Sequence, residues 1–143
     1  MKVLILGAKG MLGQELVNTY ADHDVVAWDR EDCDVLDADT SDAKIRELGP
    51  ELLINAIGYN AVDLAEGEGE EMANKINGEV PGRLARLASD LDIPFVHYGT
   101  EYVTDGENAE GYTEDAEMNP LSVYGRSKLA GEKAVMEVGG KGY

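Results

Sequence analysis

This chain contains one cysteine, one phenylalanine and one tryptophan in 143 residues. A lone cysteine, Cys33, excludes an intrachain disulfide and fits a reducing compartment, so the expected location is cytoplasmic. Basic residues are scarce as well: 7 lysines and 5 arginines stand against 29 acids, for a formal charge of −17. That balance argues against nucleic acid and anionic membranes as partners, because like charges repel. It suits solubility, and it also suits high salt, where screening removes the self-repulsion of a charged fold. No apolar run approaches the ~18 residues of a membrane span. The first ten residues lead directly into a strand and turn, without the apolar segment and cleavage site of a signal peptide. The two histidines, His23 and His97, lack metal-ligand spacing. His97 lies in an apolar stretch and reads as a core residue, so no metal site is expected.

Hydrophobic residues make up 43% of the chain, enough for one globular domain. Lys2–Leu6 is a continuous apolar run, suited to a strand buried on both faces. Met11–Tyr20 follows with helical spacing, placing Leu12, Leu16, Val17 and Tyr20 on one side. Further strands are predicted at Asp24–Asp29, Glu51–Ala56 and Pro94–Tyr98, with a very short one at Cys33–Leu36. Helices are predicted at Asp42–Leu48, capped by Ser41 and ended by Gly49-Pro50, and at Glu70–Asp90, kinked or divided near Gly78, Pro81 and Gly82. A last helix is predicted from Asn119-Pro120 to about Val138. Gly139–Tyr143 trails off, and the acidic stretch Glu66–Glu71 reads as a solvated loop and helix start. Alternating strands and helices imply an α/β fold with a doubly wound parallel sheet and right-handed crossovers.

Three groups of residues carry chemistry. Gly7-Ala8-Lys9-Gly10-Met11-Leu12-Gly13 joins the first strand to the first helix. Gly7 permits the tight turn, Gly10 lets backbone approach a pyrophosphate, and Gly13 lets helix pack on strand. The N–H groups at the helix start, around Met11 and Leu12, face the phosphates. An ordinary β-to-α turn would also use these glycines. Their place after the first strand, with an acid 22 residues beyond Gly7, points to dinucleotide binding. Asp29 can hold a ribose 2′-OH, as in NAD, whereas Arg30 can pair with the 2′-phosphate of NADP, so both cofactors stay open. Asp34 and Val35 lie where a carboxylate can approach the adenine amino group. At the reacting end, Tyr124 and Lys128 share a helix face at i,i+4. A nearby ammonium favours phenolate, so Tyr124 can give a proton to a carbonyl oxygen while Lys128 binds ribose hydroxyls. Thr100 can hydrogen-bond the same oxygen. Asn77, in mid-helix, suggests a buried polar role.

Four segments, GAKGMLGQEL, INAIGYNAVDLAE, HYGTEYVTDG and NPLSVYGRSKLAGE, resemble the dTDP-4-dehydrorhamnose reductase family of extended short-chain dehydrogenase/reductases. The resemblance runs through essentially the whole chain. It implies a Rossmann-like fold and NAD(P)H-dependent reduction of a 4-keto nucleotide sugar, for dTDP-rhamnose and cell-surface glycans. The family's active-site Thr, Tyr and Lys map onto Thr100, Tyr124 and Lys128, and its cofactor loop onto Gly7, Gly10 and Gly13. Ala56, Ile57 and Tyr59 fall in the segment that flanks the cofactor. Where the family usually has Ser-Thr-Asp-Tyr-Val-Phe, this chain has Gly99-Thr100-Glu101-Tyr102-Val103-Thr104, which leaves the sugar open. Family members are longer, and their C-terminal half supplies most of the sugar-nucleotide pocket. The expectation is therefore a single NAD(P)-binding domain over 1–143, with the C-terminal substrate domain absent. That domain would have an unpaired sheet edge beside Pro94–Tyr98, a tendency to form a homo-oligomer, and little or no turnover alone. The alternatives are a non-catalytic dinucleotide-binding or regulatory module and an epimerase-like protein.

Overall fold

The computed structural model describes residues 1–142. Four parallel strands, β1 (Lys2–Leu6), β2 (Asp24–Trp28), β3 (Leu52–Asn55) and β4 (Phe95–His97), form one sheet in the order β2-β1-β3-β4. Helices α1 (Met11–Thr19), α2 (Ala38–Leu48), α3 (Val62–Ala65), α4 (Glu70–Ala73), α5 (Val80–Asp90) and α6 (Val123–Val138) connect and cover it. The strands are apolar throughout because both faces are covered. Val3, Ile5, Leu52 and Ile54 pack with Leu16 of α1. Leu4, Leu6, Leu53 and Phe95 face the other way, onto Ile45 of α2, Leu84 and Leu87 of α5 and Val135 of α6. The chain leaves β1 toward β2 and later returns to β1's other side as β3. Such a switch opens a crevice beyond the carboxyl ends of β1 and β3. Among the described residues, no helix is long and apolar enough to cross a membrane.

Several boundaries differ from the sequence expectation. Cys33–Leu36 is a turn, not a strand. Its alternation is real, with Cys33 and Val35 buried and Asp34 and Leu36 exposed, but Asp34 Oδ1 takes the Leu36 N–H and closes a local turn. Helix α2 starts earlier, capped by Asp37, which accepts from Thr40 N. Ser41 is instead buried inside the helix, where it donates to the Ala38 carbonyl. Ser122, not Asn119, caps α6 through Gly125 N; Asn119 turns to Asp105. Leu12 is exposed rather than on the packed side of α1. Glu66 is not simply solvated, since it accepts the Val123 N–H at 2.7 Å and ties the end of α3 to the start of α6. The four-residue α3 gave no periodic signal. The expected bare edge of β4 is also partly filled: Gly142 bridges Phe95 in parallel, and Phe95 N donates to Lys141 O at 3.0 Å. Tyr143, the last residue of the stretch expected to trail off, lies outside the described residues.

The segment from Glu70 to Asp90 divides around a π-helical turn, Asn74–Glu79. Pro81 has no N–H to offer the Asn77 carbonyl four residues back, and the turn widens there. Helix α6 comes so close to this turn that a methyl on Gly131 would overlap the Asn77 carbonyl oxygen. We expect Gly131→Ala to destabilise the fold by about 1–3 kcal/mol in urea unfolding. An unchanged midpoint would contradict that packing.

His97, expected in the core, is half-buried at the core's edge, beside a cleft it lines with Glu132 and Val135. Asn55 donates its amide to His97 Nδ1 at 3.2 Å, which leaves the proton of the neutral ring on Nε2. Burial, reinforced by the Lys128 charge, pushes its pKa down from 6.5 to about 4. Unfolded imidazole therefore takes up a proton that the folded ring refuses. His97's contribution is complete above pH 6.5 and is lost as pH falls toward about 4, up to about 3 kcal/mol. Ring-proton NMR should show His97 titrating near pH 4, and a midpoint near 6.5 would refute its burial.

Candidate functional site

Between β1 and α1 the backbone turns tightly. Gly7 has φ +79°, and a side chain there would press on the Ala56–Ile57 peptide. The N–H groups of Gly7 and Ala8 both donate to the Trp28 carbonyl, at 2.9 and 3.1 Å. Gly10 is the N-cap of α1. A methyl on Gly13 would overlap the Gly7 carbonyl oxygen, which is the close helix–strand approach expected of a third glycine.

Asp29 follows β2, and its carboxylate holds this turn from below. Oδ2 accepts Lys9 N at 2.9 Å and Oδ1 accepts Arg30 N at 2.8 Å. These two N–H groups, Arg30's first, lower the Asp29 pKa, so the group is ionised at neutral pH. The adjoining cations are paired: Lys9 Nζ lies 2.9 Å from Glu31, and Arg30 Nε lies 3.7 Å from Asp34.

A crevice of about 440 Å³ opens above the carboxyl ends of β1 and β3. Of the residues singled out in the sequence, Gly7, Gly10, Asp29, Arg30, Asp34, Val35, Ala56, Ile57 and Tyr59 line it. Met11 and Leu12 do not; they sit exposed on the first turn of α1, and Gly13 is buried beneath the loop. Gly58, next to Ile57 in the segment expected to flank the cofactor, lines it too; Cys33, Leu36, Asn60, Met72 and Ile76 also line the crevice and were missed. Met72 and Ile76, four apart, place apolar groups on one face of a helical segment, which was the available hint.

Thr100, Tyr124 and Lys128 lie outside that crevice's lining, on neighbouring elements. Lys128 is only 6% exposed. Its Nζ donates to the Tyr98 carbonyl, just past β4, at 2.5 Å, and burial lowers its pKa. Tyr124 is half-buried and meets Tyr102 edge-on, with ring centroids 5.4 Å apart. Thr100 caps the short 3₁₀ turn Glu101–Val103.

One buried side chain joins the two regions. Asn77 accepts Tyr59 N at 2.8 Å, and its amide donates to Tyr59 O and Ser127 Oγ, each at 3.1 Å. Ser127 Oγ in turn donates to the Tyr124 carbonyl at 2.7 Å. The wall of the crevice is thereby hydrogen-bonded to the helix that carries Tyr124 and Lys128.

The profile of the RmlD substrate binding domain family matches residues 1–143. A dTDP-4-dehydrorhamnose reductase from Burkholderia thailandensis is 40% identical over 141 residues, which are 98% of this chain and 47% of the relative. The crystal structure of a dTDP-4-dehydrorhamnose reductase from Clostridium acetobutylicum superposes with a TM-score of 0.95 at 37% identity, over 100% of this chain and 51% of that one. The dTDP-4-dehydrorhamnose reductase of Bacillus anthracis, solved in complex with NADP, gives a TM-score of 0.93 at 30% identity, over 99% and 50%. This chain thus spans about half the length of the relatives it matches. By this match over its whole length, the chain belongs to the RmlD substrate binding domain family, the family of the dTDP-4-dehydrorhamnose reductases that its motifs resemble.

Proposed function

We propose that this chain forms the dinucleotide-binding and proton-donating part of an NAD(P)H-dependent reductase acting on a 4-keto nucleotide sugar. The observation that carries this reading is Lys128. A lysine with no role beyond solubility would lie on the surface, whereas this one is 6% exposed, one helical turn from Tyr124. Desolvating an ammonium is expensive unless it is paired; this one donates to a single carbonyl and feels the Glu132 carboxylate one turn along α6, without a close ion pair. A charge kept there at that expense has a use.

The residues present fit the cofactor. The glycine turn leaves the space that side chains would fill, and α1 directs its first N–H groups toward a pyrophosphate. Asp29 has lone pairs left for a ribose hydroxyl. NAD(P)H, when bound, supplies hydride to a carbonyl carbon. Tyr124 gives its phenolic proton to the carbonyl oxygen, and Lys128 stabilises the negative charge left on the phenol. Thr100 donates a hydrogen bond to the same oxygen. The buried thiol of Cys33 fits a reducing cytosol as the place of action.

The half-length match favours a second reading of the chain as it stands: it binds dinucleotide and turns substrate over slowly or not at all. Titration with NADH and NADPH, followed by oxidation assays with dTDP-4-dehydrorhamnose, separates the two, because binding without oxidation selects the module. Where oxidation is measurable, Tyr124→Phe should spare binding and lower the rate by about 10²–10⁴-fold. An unaltered rate would remove Tyr124 from the mechanism.

A further inference from the structure

The loop after β2 holds more than the ribose acid. Asp29 accepts the backbone N–H of Lys9 with one oxygen and that of Arg30 with the other. A single carboxylate therefore anchors the roots of two cationic side chains, from two different loops, side by side at the rim of the crevice. Left free, the pair would suit the phosphate that distinguishes NADP from NAD. Neither is free. Lys9 Nζ is hydrogen-bonded to Glu31 Oε1 at 2.9 Å, and Arg30 Nε faces Asp34 Oδ2 at 3.7 Å. Asp32 adds a further carboxylate, which accepts Asp29 N at 3.0 Å. Lys44 reaches the same loop, donating to the Asp32 carbonyl; around the adenosine ribose position, four acids thus stand against three bases.

We propose that Glu31, seconded by Asp34, is a specificity-determining residue that makes the site prefer NAD(H) to NADP(H), by holding Lys9 and Arg30 away from a 2′-phosphate. This rests on the dinucleotide reading above. A 2′-phosphate brings about two negative charges into a region already in negative surplus, and it must displace carboxylates that are tethered to the same chain. A 2′-hydroxyl meets neither obstacle and donates to Asp29. Exposed ion pairs are individually weak and screened by salt, so the discrimination is modest and shrinks as salt rises.

The test is fluorescence titration of the chain with NADH and NADPH. At low salt NADH should bind about tenfold tighter than NADPH, and the ratio should shrink as salt rises. Glu31→Gln should tighten NADPH about fivefold by releasing Lys9, with NADH within about twofold of its starting affinity. Adding Lys9→Gln to that variant should erase the gain. Equal or tighter NADPH binding by the unaltered chain overturns the proposal, as does a Glu31→Gln variant without the gain or a gain that survives Lys9→Gln. Binding of neither dinucleotide, with the fold intact by circular dichroism, overturns the dinucleotide reading itself.

Discussion

Asn77 is buried to 1% exposure, and both ends of its amide are used. It pairs with the Tyr59 backbone on two sides, as a neighbouring strand would, and reaches Ser127 with its second amide hydrogen. Buried polar groups persist when they are satisfied and fix the elements that satisfy them. Here they fix the crevice wall to helix α6. If one partner were lost, a buried polar atom would be stranded at about 1–3 kcal/mol. The candidate site depends on this contact more than on any single residue that faces a ligand, because the glycine turn and the Tyr124–Lys128 face have no direct bond to each other.

The same region packs backbone against backbone. Gly13 meets the Gly7 carbonyl, Gly131 meets that of Asn77, and Gly125 meets that of Tyr102. Each glycine removes a side chain where two segments must approach for the site to form. Charges there are handled locally. Asp29 is held by two backbone N–H groups, Lys128 by a carbonyl, and His97 is kept neutral by burial and by the nearby ammonium. The overall acidity of the chain is therefore not spread evenly over its working groups.

What could be read from sequence was whatever chain spacing encodes. The glycine turn, Asp29 and the Tyr124–Lys128 pair are each set by a few consecutive residues or by a helical repeat. The four main strands and the α/β alternation follow from apolar runs. Cys33–Leu36 misled because a buried–exposed alternation also arises in a turn that pins two small apolar side chains under a loop. Ser41 looked like a cap because it precedes an acid, yet Asp37 was better placed to receive Thr40 N. The partners of Asn77 were out of reach: Tyr59 is 18 residues away and Ser127 is 50, and no local pattern reports a contact formed by folding. Its place in mid-helix hinted only that it had a partner.

The widened turn around Asn77 also sets the phase of everything after it. An α-helix advances roughly 100° per residue, so the extra residue taken up there decides which side of α5 meets the sheet. Adding a residue to Asn74–Glu79 without further widening would swing Leu84 and Leu87 out of the interior, whereas removing one would relax the turn to ordinary α-helix and leave them facing inward. The width of this turn is therefore what keeps the apolar side of α5 toward the sheet.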